Sequence, residues 1–375
     1  MSKGRRAALT TAALVATALG AGSARADEDR FSLHGFGNQD FSKTSANTFE
    51  QAGPSGTWEN NFLGLVASAK ISDQSKLWLQ LQDNSVEEAR VTWMFVDYQV
   101  NDDLSLQVGR VKFPYGIYNE YIDTRALQQS VGKPLAYSLE ADFSYDAYNG
   151  VGVNWSRDLP NKWGRVMVQG FTGDIFSPNA PYVTVAYPNQ FQMENLESVT
   201  NDHHIYGIKI TWETPVNGLR LLLSANENKI ISTSANGQIP NEQDTEMRWI
   251  ASVDYVTDRL DLKSEFNYHK YPGQDGFPDQ VSHAWYVQAG FPIGNWTPYT
   301  RYDSVITDEN ASSNPSYFQR TVVLGVNRKI TRNLNFRIED NFNHGYALPV
   351  ASGETLANAG KVNWQLFAAQ INFMF

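Results

Sequence analysis

Hydrophobic and polar residues alternate with a period of two along most of the chain, from Phe31 to Phe375. The segment LRLLLSAN at 219–226, for example, carries leucine or alanine at every odd position and mostly polar residues between them. Such alternation predicts a β-strand with one apolar and one polar face, and about sixteen segments have it. They lie roughly at 31–41, 61–71, 76–83, 90–100, 104–113, 148–157, 164–172, 204–214, 219–228, 247–257, 260–271, 283–292, 296–304, 318–329, 334–343 and 362–375.

The connections between these segments alternate in length. Short ones lie at 72–75, 101–103, 215–218, 258–259, 294–295 and 331–333. Long ones run roughly over 42–60, 114–147, 173–203, 229–246, 272–282, 305–317 and 344–361, and 84–89 is an unusually short member of that set. Tight turns at one end and long loops at the other are typical of transmembrane β-barrels. The pattern therefore predicts an all-β, antiparallel transmembrane β-barrel of about sixteen strands.

A barrel in a membrane reverses the polarity of a soluble protein, since its apolar side chains face lipid and its polar ones a wet lumen. The aromatic content is high, at 13% with 10 Trp and 18 Tyr, and many of these rings lie near strand ends, where the headgroup region favours them. A large soluble β-sandwich is the alternative. The even strand count and the polar second face favour the barrel.

The N-terminus predicts export. Basic residues precede the apolar run 7–22, and Ala24-Arg25-Ala26 follows as a cleavage pattern, so we expect residues 1–26 to be a cleaved signal peptide and 27–375 the mature barrel. The exported part contains no cysteine. The formal net charge of −10 becomes more negative once the basic leader is removed, which disfavours nucleic acid as a partner.

The last residues, FAAQINFMF, place apolar side chains on one face and end at Phe375. This run resembles the terminal strand of bacterial outer-membrane proteins, whose final aromatic residue is recognised by the barrel-assembly machinery. The resemblance implies a location in the outer membrane of a Gram-negative bacterium. The expected partners there are outer-membrane lipid, lipopolysaccharide and that machinery.

The stretch GRVKFPYG at 109–116 looks like the Gly-x-x-Lys-x-Pro-x-Gly stretch of phosphate-selective-type porins, and the layout of the mature chain resembles the Gram-negative porin superfamily. In general porins the connection after the fifth strand folds back into the barrel and narrows it. By resemblance, 114–147 is the constriction loop and the protein is a homotrimer. The connection 84–89 is too short for the latch onto a neighbouring subunit that general porins have.

The predicted constriction carries charges of opposite sign on loop and wall. The loop supplies the acidic residues Glu120, Asp123, Glu140, Asp142 and Asp146 against two basic ones. The wall supplies the expected pore-lining basic residues Lys209, Arg220, Arg248, Lys263, Arg301 and Arg337. An acidic loop opposite a basic wall would orient water and polar solutes. Acidic lumen-facing residues interrupt the basic wall, and an outward extracellular loop remains an alternative.

Arg110 and Lys112 have two possible orientations. Strict alternation from Leu104 places both on the lipid face, where long basic side chains reach the rim. A bulge at Gly109 would instead turn them into the pore and Phe113 toward lipid. We favour the bulge, because phenylalanine is the better lipid contact, and count both residues as pore-lining.

These features predict a passive, water-filled channel for small hydrophilic solutes and ions. No stretch of the chain looks like a nucleotide site or an energy-coupling plug, so we expect no cofactor, no metal and no catalytic residue. A substrate- or anion-selective porin of the phosphate type is the nearest alternative. An outer-membrane barrel enzyme or a plugged adhesin would need a histidine-based rim site or large loop insertions.

Overall fold

The computed structural model describes residues 30–375 except 59, 85–88, 123, 138–146, 176–198, 235–241, 274–278 and 352–359. Its strands are β1 (Phe31–Thr44), β2 (Phe62–Lys70), β3 (Ser75–Asn84), β4 (Arg90–Asn101), β5 (Leu104–Lys112), β6 (Ala147–Asp158), β7 (Arg165–Ile175), β8 (Val199–Glu213), β9 (Leu219–Ser234), β10 (Glu242–Val256), β11 (Asp261–Tyr271), β12 (Gln280–Gly290), β13 (Trp296–Ile306), β14 (Phe318–Lys329), β15 (Leu334–Gly345) and β16 (Asn363–Met374). One short helix, α1, spans Ala347–Ala351. Within the described ranges, no helix has the length and apolar character needed to cross a membrane.

All sixteen strands form one closed antiparallel barrel in which each strand pairs with its neighbours in sequence. The barrel closes where β1 pairs with β16, from Phe36 opposite Met374 to Thr44 opposite Leu366. Beyond that register, the backbone of Phe375 still exchanges hydrogen bonds of 2.8 and 2.9 Å with Gly35. Closure pairs the backbone groups that an open sheet edge would leave exposed. The predicted fold class is confirmed, and β8, β9 and β10 extend about five residues further toward the long loops than alternation alone indicated.

The two faces of the wall have the polarity predicted for a membrane barrel. On β9, Leu223 points outward and is 49% exposed, whereas Asn228 points into the lumen and is fully buried. Hydroxyl groups on the outer face are satisfied by the sheet itself: Ser264 donates to the carbonyl of Tyr286 at 2.8 Å and Thr300 to that of Val323 at 3.0 Å. These hydrogen bonds avoid the energetic cost of an unpaired hydroxyl group in contact with lipid.

The bulge expected at Gly109 does not form, so the orientation favoured for Arg110 and Lys112 is wrong. Pairing runs without a shift through Gly109, both to β4 and to β6. Val111 and Phe113 are therefore inward and 2% exposed, while Arg110 shares the outer face with exposed Met94. Phe113 is the reason for this outcome, since the lumen offers it aromatic partners.

Those partners form an aromatic cluster inside the barrel, at the base of the long loop. The ring of Phe113 lies 5.0 Å from that of Phe171 and 5.4 Å from that of Tyr115, and Tyr148 lies 5.3 Å from Phe171. Aromatic pairs at such distances stabilise beyond the area that they bury. The cluster fixes where the chain leaves β5 and directs the loop into the lumen.

Candidate functional site

The loop after β5 enters the barrel, as predicted. Its described part, 113–122 and 124–137, contains three 3₁₀ turns, Tyr118–Glu120, Arg125–Leu127 and Leu135–Tyr137. Ile117 and Tyr118 are fully buried although they belong to a loop. Buried loop backbone requires hydrogen-bond partners, and here the lumen wall supplies them.

Glu265 on β11 is the first anchor. Its Oε1 accepts from the backbone N–H of Ile117 at 2.6 Å, and its Oε2 accepts from the Tyr137 hydroxyl at 2.6 Å. Ser252 and Tyr286 on the wall donate to the same carboxylate at 2.7 and 2.8 Å. Burial raises the pKa of Tyr137 well above its usual value, so its phenol keeps the proton that it donates. Glu265 thereby joins the beginning and the end of the described loop.

Glu339 on β15 binds the middle of the loop. Its Oε2 accepts from the backbone N–H of Val131 at 2.8 Å and its Oε1 from that of Gly132 at 3.1 Å. Tyr299 and Asn341 complete its hydrogen bonds at 2.8 and 3.1 Å. Two successive amides directed at one carboxylate resemble the backbone concavities that bind anions.

Arg301 and Asp303 on β13 form the third anchor. Arg301 donates to Asp303 at 2.7 Å, to the Ser130 hydroxyl at 2.7 Å and to the carbonyls of Gly132 and Lys133 at 2.8 and 3.2 Å. Asp303 accepts in turn from the backbone N–H of Leu135 at 3.0 Å. Both charged side chains are at most 1% exposed.

Two further bases bind loop carbonyls. Arg337 on β15 donates to the carbonyls of Arg125 and Ala126 at 2.7 and 3.0 Å. Lys209 on β8 donates to the carbonyl of Gly116 at 2.9 Å. Both side chains lie on the inner face of the wall, where Lys209 is 1% exposed and Arg337 is fully buried. Their charges lie beneath the loop, not beside open water.

The other predicted bases on the inner face pair with neighbouring acids. Arg248 contacts Glu246 at 2.6 Å and lies 5.5 Å from the ring centre of Tyr115. Arg220 contacts Asp254 at 2.5 Å. Lys263 lies 3.5 Å from that same carboxylate and also binds Asp261. Only Arg220 keeps a substantial exposed fraction, 31% of its side chain.

The acidic residues predicted for the constriction lie outside the described part of the chain. Asp123, Glu140, Asp142 and Asp146 are not among the described residues, and of Glu120 only the backbone is described, at the end of the first 3₁₀ turn. The predicted transverse field between an acidic loop and a basic wall therefore stays a prediction.

The inner face of β8, β11, β13 and β15, which binds the loop, is called the anchoring wall below. The inner face of β3 and β5–β7 differs from it. Its lumen-facing positions at mid-strand carry amides, namely Gln82, Gln107, Asn154 and Gln169, and all four are half-buried. Gln169 donates to Asn154 at 3.1 Å, so neighbouring amides also bond to each other. Asp97 on β4, which pairs with Gln107, adds one half-buried acid to this otherwise amide-lined part of the wall.

Sequence reasoning missed the anchoring role of Glu265, Asp303 and Glu339, which it treated as interruptions of a basic wall. A signal was present, because each acid stands two residues after a base on the same face: Lys263, Arg301 and Arg337 respectively. Alternating signs at that spacing suit a bound backbone, which presents both N–H and C=O groups. A uniformly basic wall could have bound only the carbonyls.

This arrangement, a barrel whose lumen is narrowed by an inward loop, can be compared with known proteins. The family model for phosphate-selective porin O and P matches residues 63–300. The chain belongs to this porin family. The porin is therefore an outer-membrane channel for small solutes. No curated protein sequence matches it.

Solved structures share the fold at low sequence identity. OmpT of Vibrio cholerae is 11% identical with a TM-score of 0.60, covering 93% of this chain and 99% of that one. OprB of Pseudomonas putida is 13% identical with a TM-score of 0.59, covering 93% and 95%. The outer-membrane channel DcaP of Acinetobacter baumannii is 12% identical with a TM-score of 0.55, covering 92% and 97%. At these identities the likeness shows the barrel fold alone.

Proposed function

We propose that this porin is a passive diffusion pore for small hydrophilic solutes and ions, in which the loop's own side chains determine charge selectivity. The proposal rests on the balance of positive and negative charges on the anchoring wall. Among the described residues, the charged wall side chains that hydrogen-bond to the loop are three bases, Lys209, Arg301 and Arg337, and three acids, Glu265, Asp303 and Glu339. Because positive and negative buried charges are equal in number here and are bound to the loop, they leave little net electric field in the pore.

The loop residues that face the lumen water then set the selectivity. Arg125 and Lys133 are partly exposed, whereas their carbonyls are held by Arg337 and Arg301. The acidic residues Glu120, Asp123, Glu140, Asp142 and Asp146 are proposed as their counterparts along the same loop. An anion-selective pore of the phosphate type is the second candidate, favoured by the family model that the chain matches.

Purified porin in a planar bilayer should give ohmic conductance steps with no energy source, and repeated absence of conductance would contradict the channel. Arg125→Gln and Lys133→Gln should each shift the reversal potential under a salt gradient toward cation selectivity. A unit charge about 10 Å from a permeating ion in water changes the energy of that ion by about 0.4 kcal/mol, or about twofold in its permeability. Cations and anions shift in opposite directions, so their permeability ratio should change about fourfold.

Lys162→Gln is the matched control for both variants, because Lys162 lies in a short turn at the other end of the barrel. It should leave the reversal potential unchanged. A strong anion preference that survives both loop substitutions would favour the phosphate-type pore.

The cellular setting completes the proposal. Residues 1–26 act as a cleaved signal peptide and 27–375 as the mature barrel, with Phe375, which is 63% exposed beside the closing pair of strands, as the residue recognised by the assembly machinery. Outer-membrane lipid and lipopolysaccharide surround the barrel, and the porin works without a cofactor and is not an enzyme. It assembles as a homotrimer, an arrangement also described for an in-vitro folded form of OmpT from V. cholerae.

A further inference from the structure

Asp340 is a carboxylate on the outer face of the barrel. It alternates on β15 with Glu339 and Asn341, which are buried in the lumen. Its cross-strand neighbours are Leu324 on β14 and Phe367 on β16, which are 52% and 38% exposed on the lipid-facing surface. Along its own strand it stands between Ile338 and Phe342. An acidic group therefore lies in the middle of an apolar band.

This position is costly if lipid covers it. The Asp340 Oδ1 atom is buried and accepts no hydrogen bond from the described part of the chain. Ionisable side chains within the apolar band of a membrane protein are expensive and mark functional positions. The hydroxyls of Ser264 and Thr300 on the same surface avoid this cost through backbone carbonyls. Within its own chain the Asp340 carboxylate has the backbone N–H of Asn341 as a local partner. Its second oxygen, Oδ2, is not among the buried atoms, so it is the atom that a donor from another subunit can reach.

A suitable donor occurs on the same outer surface of the chain. Arg110 lies six residues above Leu104, the first residue of β5, and Asp340 lies six residues above Leu334, the first residue of β15. Strands rise about 3.3 Å per residue and tilt by about 40°, so both groups lie about 15 Å above their turns. Within one barrel β5 and β15 are too far apart around the wall to meet.

We propose that Arg110 of one subunit forms an ion pair with Asp340 of the neighbouring subunit in the trimer. This inference rests on the homotrimer proposed above. In a ring of three, contacts are heterologous, so one side of each subunit meets the other side of the next. The strands β5 and β15 lie on either side of β2 in the barrel order. The side chains of Ala67 and Ala69 on β2 are small, which lets the subunits approach around the axis.

Arg110 can form this ion pair and also keep an interaction within its own barrel. Arg110 has an interaction inside its own chain, and its guanidinium carries five N–H donors in a planar fork. That fork can bind a carboxylate from a second subunit and keep a contact of its own. A bound carboxylate and guanidinium placed away from water gain geometric specificity as well as energy.

Cross-linking tests the contact directly, because the chain has no cysteine. The double variant Arg110→Cys/Asp340→Cys, treated in outer-membrane fragments with a short bis-maleimide, should give covalent trimer on a denaturing gel. Each single variant should stay monomeric after boiling. The matched control is Asp340→Cys/Ala225→Cys, since Ala225 lies six residues above the start of β9 on a distant part of the outer face. It should give no trimer.

Charge exchange provides the second measurement. Asp340→Arg and Arg110→Asp should each lower the temperature at which the trimer dissociates in detergent, and Arg110→Asp/Asp340→Arg should restore it. No cross-link in the first double variant, or single charge reversals that leave the dissociation temperature unchanged, would overturn the ion pair. A porin that is monomeric before substitution would overturn it too. Ohmic conductance in the bilayer reports the channel separately, so the two proposals can fail independently.

Discussion

Arg301→Met should release the inward loop and raise the single-channel conductance of the porin. Arg301 binds Ser130, Gly132 and Lys133 of the loop and compensates the buried charge of Asp303. Removing one partner of a buried ion pair costs about 3–5 kcal/mol, because the other charge is left uncompensated. The loop end with Leu135, which donates to Asp303, should then move, giving larger and noisier current steps in a planar bilayer.

The double variant Arg301→Met/Asp303→Leu distinguishes the loss of loop anchoring from the effect of leaving the buried charge of Asp303 uncompensated. It removes both buried charges, so the barrel should fold as well as the unchanged porin, while the loop still loses its contacts on β13. Conductance should stay raised in the double variant. If Arg301→Met conducts like the unchanged protein, with the same noise, the loop is held by other means and the anchoring role of this pair is wrong.

Gly109→Val should strongly reduce the yield of folded barrel. Gly109 has a φ of +133°, a backbone conformation that residues with side chains rarely adopt. A Cβ added there would lie 2.5 Å from the carbonyl oxygen of Met94 on β4. The backbone strain alone costs about 1–3 kcal/mol, and the contact adds to it. Heat-modifiable migration on a gel measures the folded fraction.

Gly170→Val is the matched control, because Gly170 lies in a strand of the same barrel and a Cβ there meets nothing within 4 Å. It should fold nearly as well as the unchanged porin. Equal yields of the two variants would show that the conformation of Gly109 does not matter for pairing β4 with β5.

Much of the barrel follows from local pattern, whereas the site depends on contacts distant in sequence. Alternation predicts all sixteen strands because the lipid and the lumen impose opposite polarity on successive residues. The inward loop is predicted from its length and its resemblance to porins. The orientation of Arg110 was predicted wrongly because a local comparison of Phe113 with Lys112 omits Phe171, which packs on Phe113 from two strands away.

The residues that anchor the loop could likewise not be predicted from local sequence patterns. Glu339 binds Val131, and the two residues are separated by 208 positions in the chain. Charge counting along the loop and along the wall predicts attraction between side chains of opposite sign. The described contacts instead join charged wall side chains to loop backbone and to uncharged loop hydroxyls, such as those of Ser130 and Tyr137. Bonds to backbone groups cannot be predicted by counting charged residues.

That choice of partner has a consequence for how such a pore can diversify. Glu339 and Arg337 hold the loop through N–H and C=O groups that every residue other than proline possesses. Substitutions at the half-buried Arg125 or Ala126 can therefore change what a passing solute meets without loosening the scaffold. The aperture and the chemistry of its rim can evolve separately, so a lineage could exchange one nutrient class for another through a few loop mutations.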